Sequence, residues 1–96
     1  MSRPIASETV FRAIADPTRR RILGLLRRQD HPPAAIASEL ALSSTTLSFH
    51  LRVLSHSGLV TQHREGRGRV YRLETRLLRH VRAWVDHYLL PNTRTC

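Results

Sequence analysis

Apolar residues fall at three-to-four-residue intervals in five stretches of this chain, and strand-like runs follow one another only once. Five helices and one hairpin are therefore predicted. In the first helix, residues 7–15, Ser7 serves as cap, Glu8 stands in the first turn, and Val10, Phe11 and Ile14 form the apolar stripe. Asp16-Pro17 then supplies an N-cap acceptor and a preset φ for a second helix from Thr18 to about Arg28, buried through Ile22, Leu23, Leu25 and Leu26. Asp30-His31-Pro32-Pro33 lacks two backbone donors and reads as a connection. A third helix, residues 34–40, follows with Ile36 and Leu40 inward.

After the short link Ala41-Leu42, Ser43 caps a fourth helix that runs to about His56 and is stopped by Gly58. Residues 59–64 and 69–73 are strand-like and flank Glu65-Gly66-Arg67-Gly68, whose glycines suit a hairpin tip. The last helix, residues 75–90, carries Leu77, Leu78, Val81, Trp84, Val85, Tyr88 and Leu89 on one face and ends at Pro91-Asn92. This order is that of a winged helix-turn-helix, a mainly α fold of five helices with a two-stranded wing. It fills one domain over residues 1–96, with the helix pair at 34–56 and the wing at 59–73.

The direction of the fourth helix follows from angles. With Leu47 as zero and about 100° per residue, Leu51 and Leu54 lie within about 40° of it and form the buried stripe. The opposite face collects Thr45, Ser48, Phe49 and Arg52, with Ser44 at its margin and no acid among them. Short hydroxyls meet base edges or phosphates, Arg52 pairs with guanine or phosphate, and the Phe49 ring suits a thymine methyl. His50 projects beside the core stripe, so packing or hydrogen bonding is its expected role. His56, at the far end of the exposed face, is expected to be solvated.

Composition adds a partner. Sixteen cations, all arginine, against seven acids leave a formal +9 on 96 residues, which favours polyanions. Residues 41–72 hold five arginines against Glu65 alone, and Arg64, Arg67 and Arg69 with the two tip glycines suit a DNA backbone or a narrow minor groove. The single cysteine, Cys96, excludes an internal disulfide framework and a multi-thiolate zinc site. No apolar run is long enough for a bilayer or a signal-peptide core, and a cytoplasmic protein is expected.

Over roughly Phe11 to Leu90 the chain also resembles the ArsR-type bacterial repressors, small dimeric winged helix-turn-helix proteins. The resemblance rests on Ala15-Asp16-Pro17-Thr18-Arg19 with Ile22-Leu23, on Ser43 to Leu54 containing Ser48-Phe49-His50-Leu51, on Gly58-Leu59-Val60, and on Gly66-Arg67 through Tyr71. It implies that Ser44, Thr45, Ser48 and Phe49 read the major groove, that the hairpin is the wing, and that the first and last helices pair two subunits. The interface so expected comprises Val10, Phe11, Ile14, Leu77, Val81, Trp84 and Tyr88. Trp84 and Tyr88, near the end of an apolar helix, suit such an isologous contact in their own right.

Many relatives of that type release DNA on binding a metal or metalloid, through paired cysteines in the third helix or a carboxylate and histidine set in the last. This chain departs from both patterns, since residues 34–40 contain no thiol. His80 and His87 stand two turns apart, about 10 Å along the axis, and cannot share one zinc. A site built across two subunits from His80, Asp86, His87 or Cys96 stays open, and no metal, cofactor or effector is assigned.

No nucleophile with a placed base and no phosphate loop is present, so an enzyme is not expected. The expectation is a homodimeric, sequence-specific DNA-binding repressor acting on an imperfect palindrome in promoter DNA, with activation as the other sign of regulation. Two rivals remain. A winged-helix interaction module would hold an acidic protein, and a sequence-indifferent DNA binder would show steep salt dependence without preference among duplexes.

Overall fold

A computed structural model of the chain describes residues 6–91, with side chains from Glu8 onward, so Cys96 falls outside what it describes, and Ser7, expected as the cap, has its backbone within the first helix. Its elements are α1 (Ala6–Ile14), α2 (Pro17–Arg28), α3 (Pro33–Leu40), α4 (Ser44–Ser57), β1 (Val60–Glu65), β2 (Gly68–Leu73) and α5 (Leu78–Leu89). The element order matches the sequence reading, and most boundaries move by one residue.

Local chemistry explains the boundaries. Asp16 stands in extended conformation and its carboxylate accepts from the Arg19 amide at 2.9 Å, while Pro17 occupies the first turn of α2. Ser43 does the same for α4, its hydroxyl accepting from the Thr46 amide at 3.1 Å. At the far end of α4, Gly58 takes φ +84 and returns its amide to the carbonyls of Leu54 and Ser55. The left-handed φ favours glycine there, and a Cβ would lie 2.7 Å from Leu77 Cδ1, so the end of that side chain would have to move. The turn between α3 and α4 has no glycine: Ala41 itself enters the left-handed region at φ +54.

The core gathers from every layer below α5. Val10 and Ala13 of α1, Ile22 and Leu26 of α2, Ile36 of α3, and Leu47, Leu51 and Leu54 of α4 close on Leu59 and Val60 at the root of the hairpin. The strands pair antiparallel, Val60 with Leu73 through Glu65 with Gly68. Burial fades from root to tip along β1, and beyond Val70 toward the tip β2 is exposed. Gly66 at φ +61 and Arg67 outside the left-handed region give the II′ pattern of a two-residue turn. At its root the wing is held twice more. Tyr71 and His31 exchange backbone hydrogen bonds of 2.8 and 3.2 Å, and Arg72 pairs with Asp30 at 2.9 Å.

Two expectations are corrected. The last α-helix begins at Leu78 rather than at residue 75: the amides of Leu78, Arg79 and His80 bond back three residues, to Thr75, Arg76 and Leu77, at 2.9, 3.4 and 3.1 Å, so the segment enters the helix through a tighter turn, with Leu77 already packed on the core. Val10, expected at a subunit interface, has no exposed surface and belongs to the core. Ile14, Leu77 and Val81 are partly buried against that same core, so much of their apolar surface is already used within the chain. The outer half of α5 remains uncovered: Trp84, Tyr88 and Leu89 are 55%, 68% and 75% exposed, and no residue of the helix is fully buried.

Candidate nucleic-acid interface

Leu47, Leu51 and Leu54 lock α4 by one side to the core, leaving 2%, 4% and 0% of their surfaces exposed. The inner and outer sides of the helix are thereby identified. Ser44, Thr45, Ser48, Phe49 and Arg52 all stand exposed on the outer side, as the angular projection requires. Phe49 has over half its surface in solvent, and its ring contacts only His50 edge-on, at a centroid distance of 5.3 Å, among the ring contacts of the described residues. No acidic residue lies within Ser44–Ser57.

His50 is buried, as its position beside the stripe implies, and its Nδ1 lies 3.2 Å from Arg19 Nη1. In the sequence Arg19 counts only as part of the Ala15-to-Arg19 motif and its side chain is given no role, whereas here it reaches from α2 across to α4. A pattern of apolar periodicity carries no signal for such a contact.

In the wing, Arg64, Arg67 and Arg69 are all exposed. They are not equally available. Arg69 donates to Gln62 Oε1 at 3.0 Å, and Arg72 is engaged by Asp30 through two bonds of 2.9 Å. Arg64 and Arg67 have no hydrogen-bond or ion-pair partner among the described residues. Their charge is free for an external anion.

Between helix and wing lies a groove of about 270 Å³ lined by Ser48, Leu51, Arg52, Ser55, Gln62 and Tyr71. It joins part of the expected face, Ser48 and Arg52, to the base of the wing, whereas the three wing arginines lie outside its lining. Ser55, Gln62 and Tyr71 are additions to the sequence-derived set. Ser55 sits two turns after Ser48 on the same helix face and was detectable by spacing, while Gln62 and Tyr71 depended on how the hairpin packs.

At the other end of the molecule Phe11 meets Trp84 edge-on at 5.8 Å, and Trp84 meets Tyr88 at 5.2 Å. These rings join α1 to the uncovered part of α5. A shallow apolar cleft there is lined by Trp84, Val85, Tyr88 and Leu89. His80 and His87 are exposed, and no group of three or more histidine, cysteine or acidic side chains suited to a metal ion occurs among the described residues.

This geometry has close counterparts. A helix-turn-helix domain profile matches residues 14–63. The transcriptional repressor SdpR of Bacillus subtilis is 36% identical over 80 residues, which cover 83% of this chain and 89% of that protein. The chain also aligns at 33% identity with a transcriptional repressor SmtB homolog of Synechocystis, of whose length it spans 59%. Among solved structures, an ArsR family transcriptional regulator superposes with a TM-score of 0.81 at 30% identity, covering 98% of both chains. The chain belongs to the ArsR family of winged helix-turn-helix regulators. The homodimeric winged helix-turn-helix DNA-binding domain Mb0332 of Mycobacterium bovis, described as a possible ArsR-family transcriptional regulator, superposes with a TM-score of 0.71 at 30% identity over 95% of this chain and 88% of that one. The ArsR family is one of transcriptional regulators and not an enzyme class, and no helix among the described residues is long and apolar enough to cross a membrane.

Proposed function

We propose that the protein is a homodimeric transcriptional repressor that binds an imperfect palindrome in promoter DNA, catalyses no reaction and works in the cytoplasm. The observation that carries this reading is the outer face of α4, where hydroxyls, one guanidinium and an exposed phenyl ring stand opposite a fully buried leucine stripe with no carboxylate among them. Such a face offers base-edge hydrogen bonds and an apolar contact at once. Ser44, Thr45, Ser48, Phe49 and Arg52 then enter the major groove, and Arg64, Arg67 and Arg69 lie against phosphate or the minor groove.

Phe11, Trp84 and Tyr88, with Val85 and Leu89 beside them, form the contact with a second copy. Ile14, Leu77 and Val81 act chiefly as its support. Two linked reading helices multiply the modest affinity of one, and half-sites are expected about one helical turn, roughly 34–36 Å, apart. The homodimeric neighbour and the repressor relatives support this reading.

Selecting bound fragments from the host genome and measuring their affinity against random duplex tests it. A preferred palindrome is expected, with Ser48→Ala and Phe49→Ala narrowing the preference toward that of random DNA. Equal binding to every duplex would leave a sequence-indifferent coater. Binding only to an acidic protein would leave an interaction module.

A further inference from the structure

The guanidinium of Arg19 makes three contacts that no element of the DNA-reading proposal uses. Its Nε donates to the Ala13 carbonyl at 2.7 Å and its Nη2 to the Arg12 carbonyl at 3.3 Å. Its Nη1 meets His50 Nδ1 at 3.2 Å. The first two acceptors belong to the last turn of α1, where helical carbonyls run out of amide partners, although the Arg12 carbonyl also accepts from the Ala15 amide at 3.3 Å. A neighbouring arginine, Arg20, takes the next of them, donating to Ile14 at 2.8 Å. The third acceptor belongs to α4 and sits beside Phe49.

Arginine has no acceptor atom, so His50 Nδ1 must present a lone pair and the ring proton must reside on Nε2. The backbone amide of Arg19 is meanwhile held by Asp16, which fixes where the side chain leaves α2. One planar group thus joins the end of α1, the start of α2 and the middle of α4. A planar fork with donors on three nitrogens spans these acceptors, as a point-like ammonium cannot.

We infer that Arg19, through His50, is a positioning residue that sets the rotation and depth of α4 relative to α1, so that base discrimination depends on a contact that touches no DNA. This rests on the reading of α4 as the groove helix. His50 is one residue from Phe49 and two from Ser48 and Arg52, so a turn of α4 about its axis displaces all three outer side chains together. Phosphate contacts from the wing are made by other residues and survive such a turn.

The test has one arm without DNA and one with it. In the free protein, ring 15N spectra of His50 are expected to show the Nε2-protonated tautomer, and Arg19→Lys is expected to shift the His50 ring and the Phe49 and Arg52 amides. On DNA, His50→Phe keeps a ring but loses the acceptor, and a tenfold or greater loss of preference for the selected palindrome over random duplex is expected, with the salt slope unchanged. His50→Asn, whose Oδ1 can stand near the Nδ1 position, is expected to restore most of that preference.

A general packing role would lower melting temperature in both variants without separating Asn from Phe. A proton on Nδ1, or a His50→Phe protein that discriminates as well as the parent, overturns the inference. If the parent itself prefers no duplex, the groove reading fails, and the clamp is judged by the spectral arm alone.

Discussion

Four arginines occur in the wing, but only two of them lack a hydrogen-bond or ion-pair partner among the described residues. Arg72 is bound to Asp30 at the root, and Arg69 leans on Gln62. Arg64 and Arg67 extend near the tip without a partner among the described residues. Each phosphate neutralised contributes about 0.9 to the slope of log affinity against log salt. Removing one such contact means that raising salt fourfold, from 50 to 200 mM, should cost about 3.5-fold less affinity than in the parent. Arg67→Ala and Arg64→Ala are each expected to lower the slope by about 0.9 per subunit, with all duplexes weakened alike. Arg72→Ala removes the same formal charge but from a half-exposed internal pair, so its slope should stay close to the parent's and its stability fall by no more than about 1 kcal/mol. Fluorescence anisotropy of a labelled duplex across a salt series reads all three. Should Arg72→Ala flatten the slope as much as Arg67→Ala does, net charge alone governs binding and the division of labour drawn from the hairpin geometry is wrong.

Gly58→Ala places a Cβ at φ +84 and 2.7 Å from Leu77 Cδ1, and a loss of about 2 kcal/mol is expected, seen as a melting temperature lower by roughly 8–16 °C. An unchanged transition would refute the account of that turn. Asp16 is held below the ordinary carboxylate range chiefly by the Arg19 amide, against desolvation that pushes the other way. Its folded value lies below its unfolded one, so its contribution is complete above the unfolded value near 3.9 and fades as pH falls through the folded one. Asp16→Ala should therefore cost about 1 kcal/mol in neutral urea melts and nearly nothing in acid below that window. Trp84→Ala strips part of the proposed subunit contact from both copies, and sedimentation is expected to show a dimer weakened by roughly 100-fold toward the 11.0 kDa monomer while circular dichroism stays the same.

The parts of the fold that the sequence disclosed were those governed by neighbours along the chain. Asp16-Pro17, Ser43 and Gly58 each mark a helix end by chemistry that acts within four residues, and each lies where expected. The outer face of α4 was legible because a single buried stripe determines the opposite side. Contacts across the fold were not legible. Val10 and Phe11 are consecutive in one amphipathic helix, and periodicity alone cannot say that one goes to the core and the other toward Trp84. Leu77 fits the helical spacing of residues 75–90, but its side chain lies over Gly58, nineteen residues earlier, and the α-helix proper starts only after it. Arg19 looked like one more cation in a basic helix, and its value lies wholly in where α1 ends and where His50 stands.

The double mooring of the wing to the segment before α3 has a mechanical consequence. With Tyr71 stitched to His31 and Arg72 tied to Asp30, the hairpin cannot swing away from the helix pair as a loose arm would. Its root rides with the body, and only the glycine-flanked tip can flex. On the proposed reading of these two elements as the DNA contacts, the protein works as a caliper of set span, with one jaw at α4 and the other at the wing. A duplex whose neighbouring grooves are spaced otherwise must itself be bent or twisted to fit, and stiff sequences will be disfavoured at base pairs that neither jaw touches.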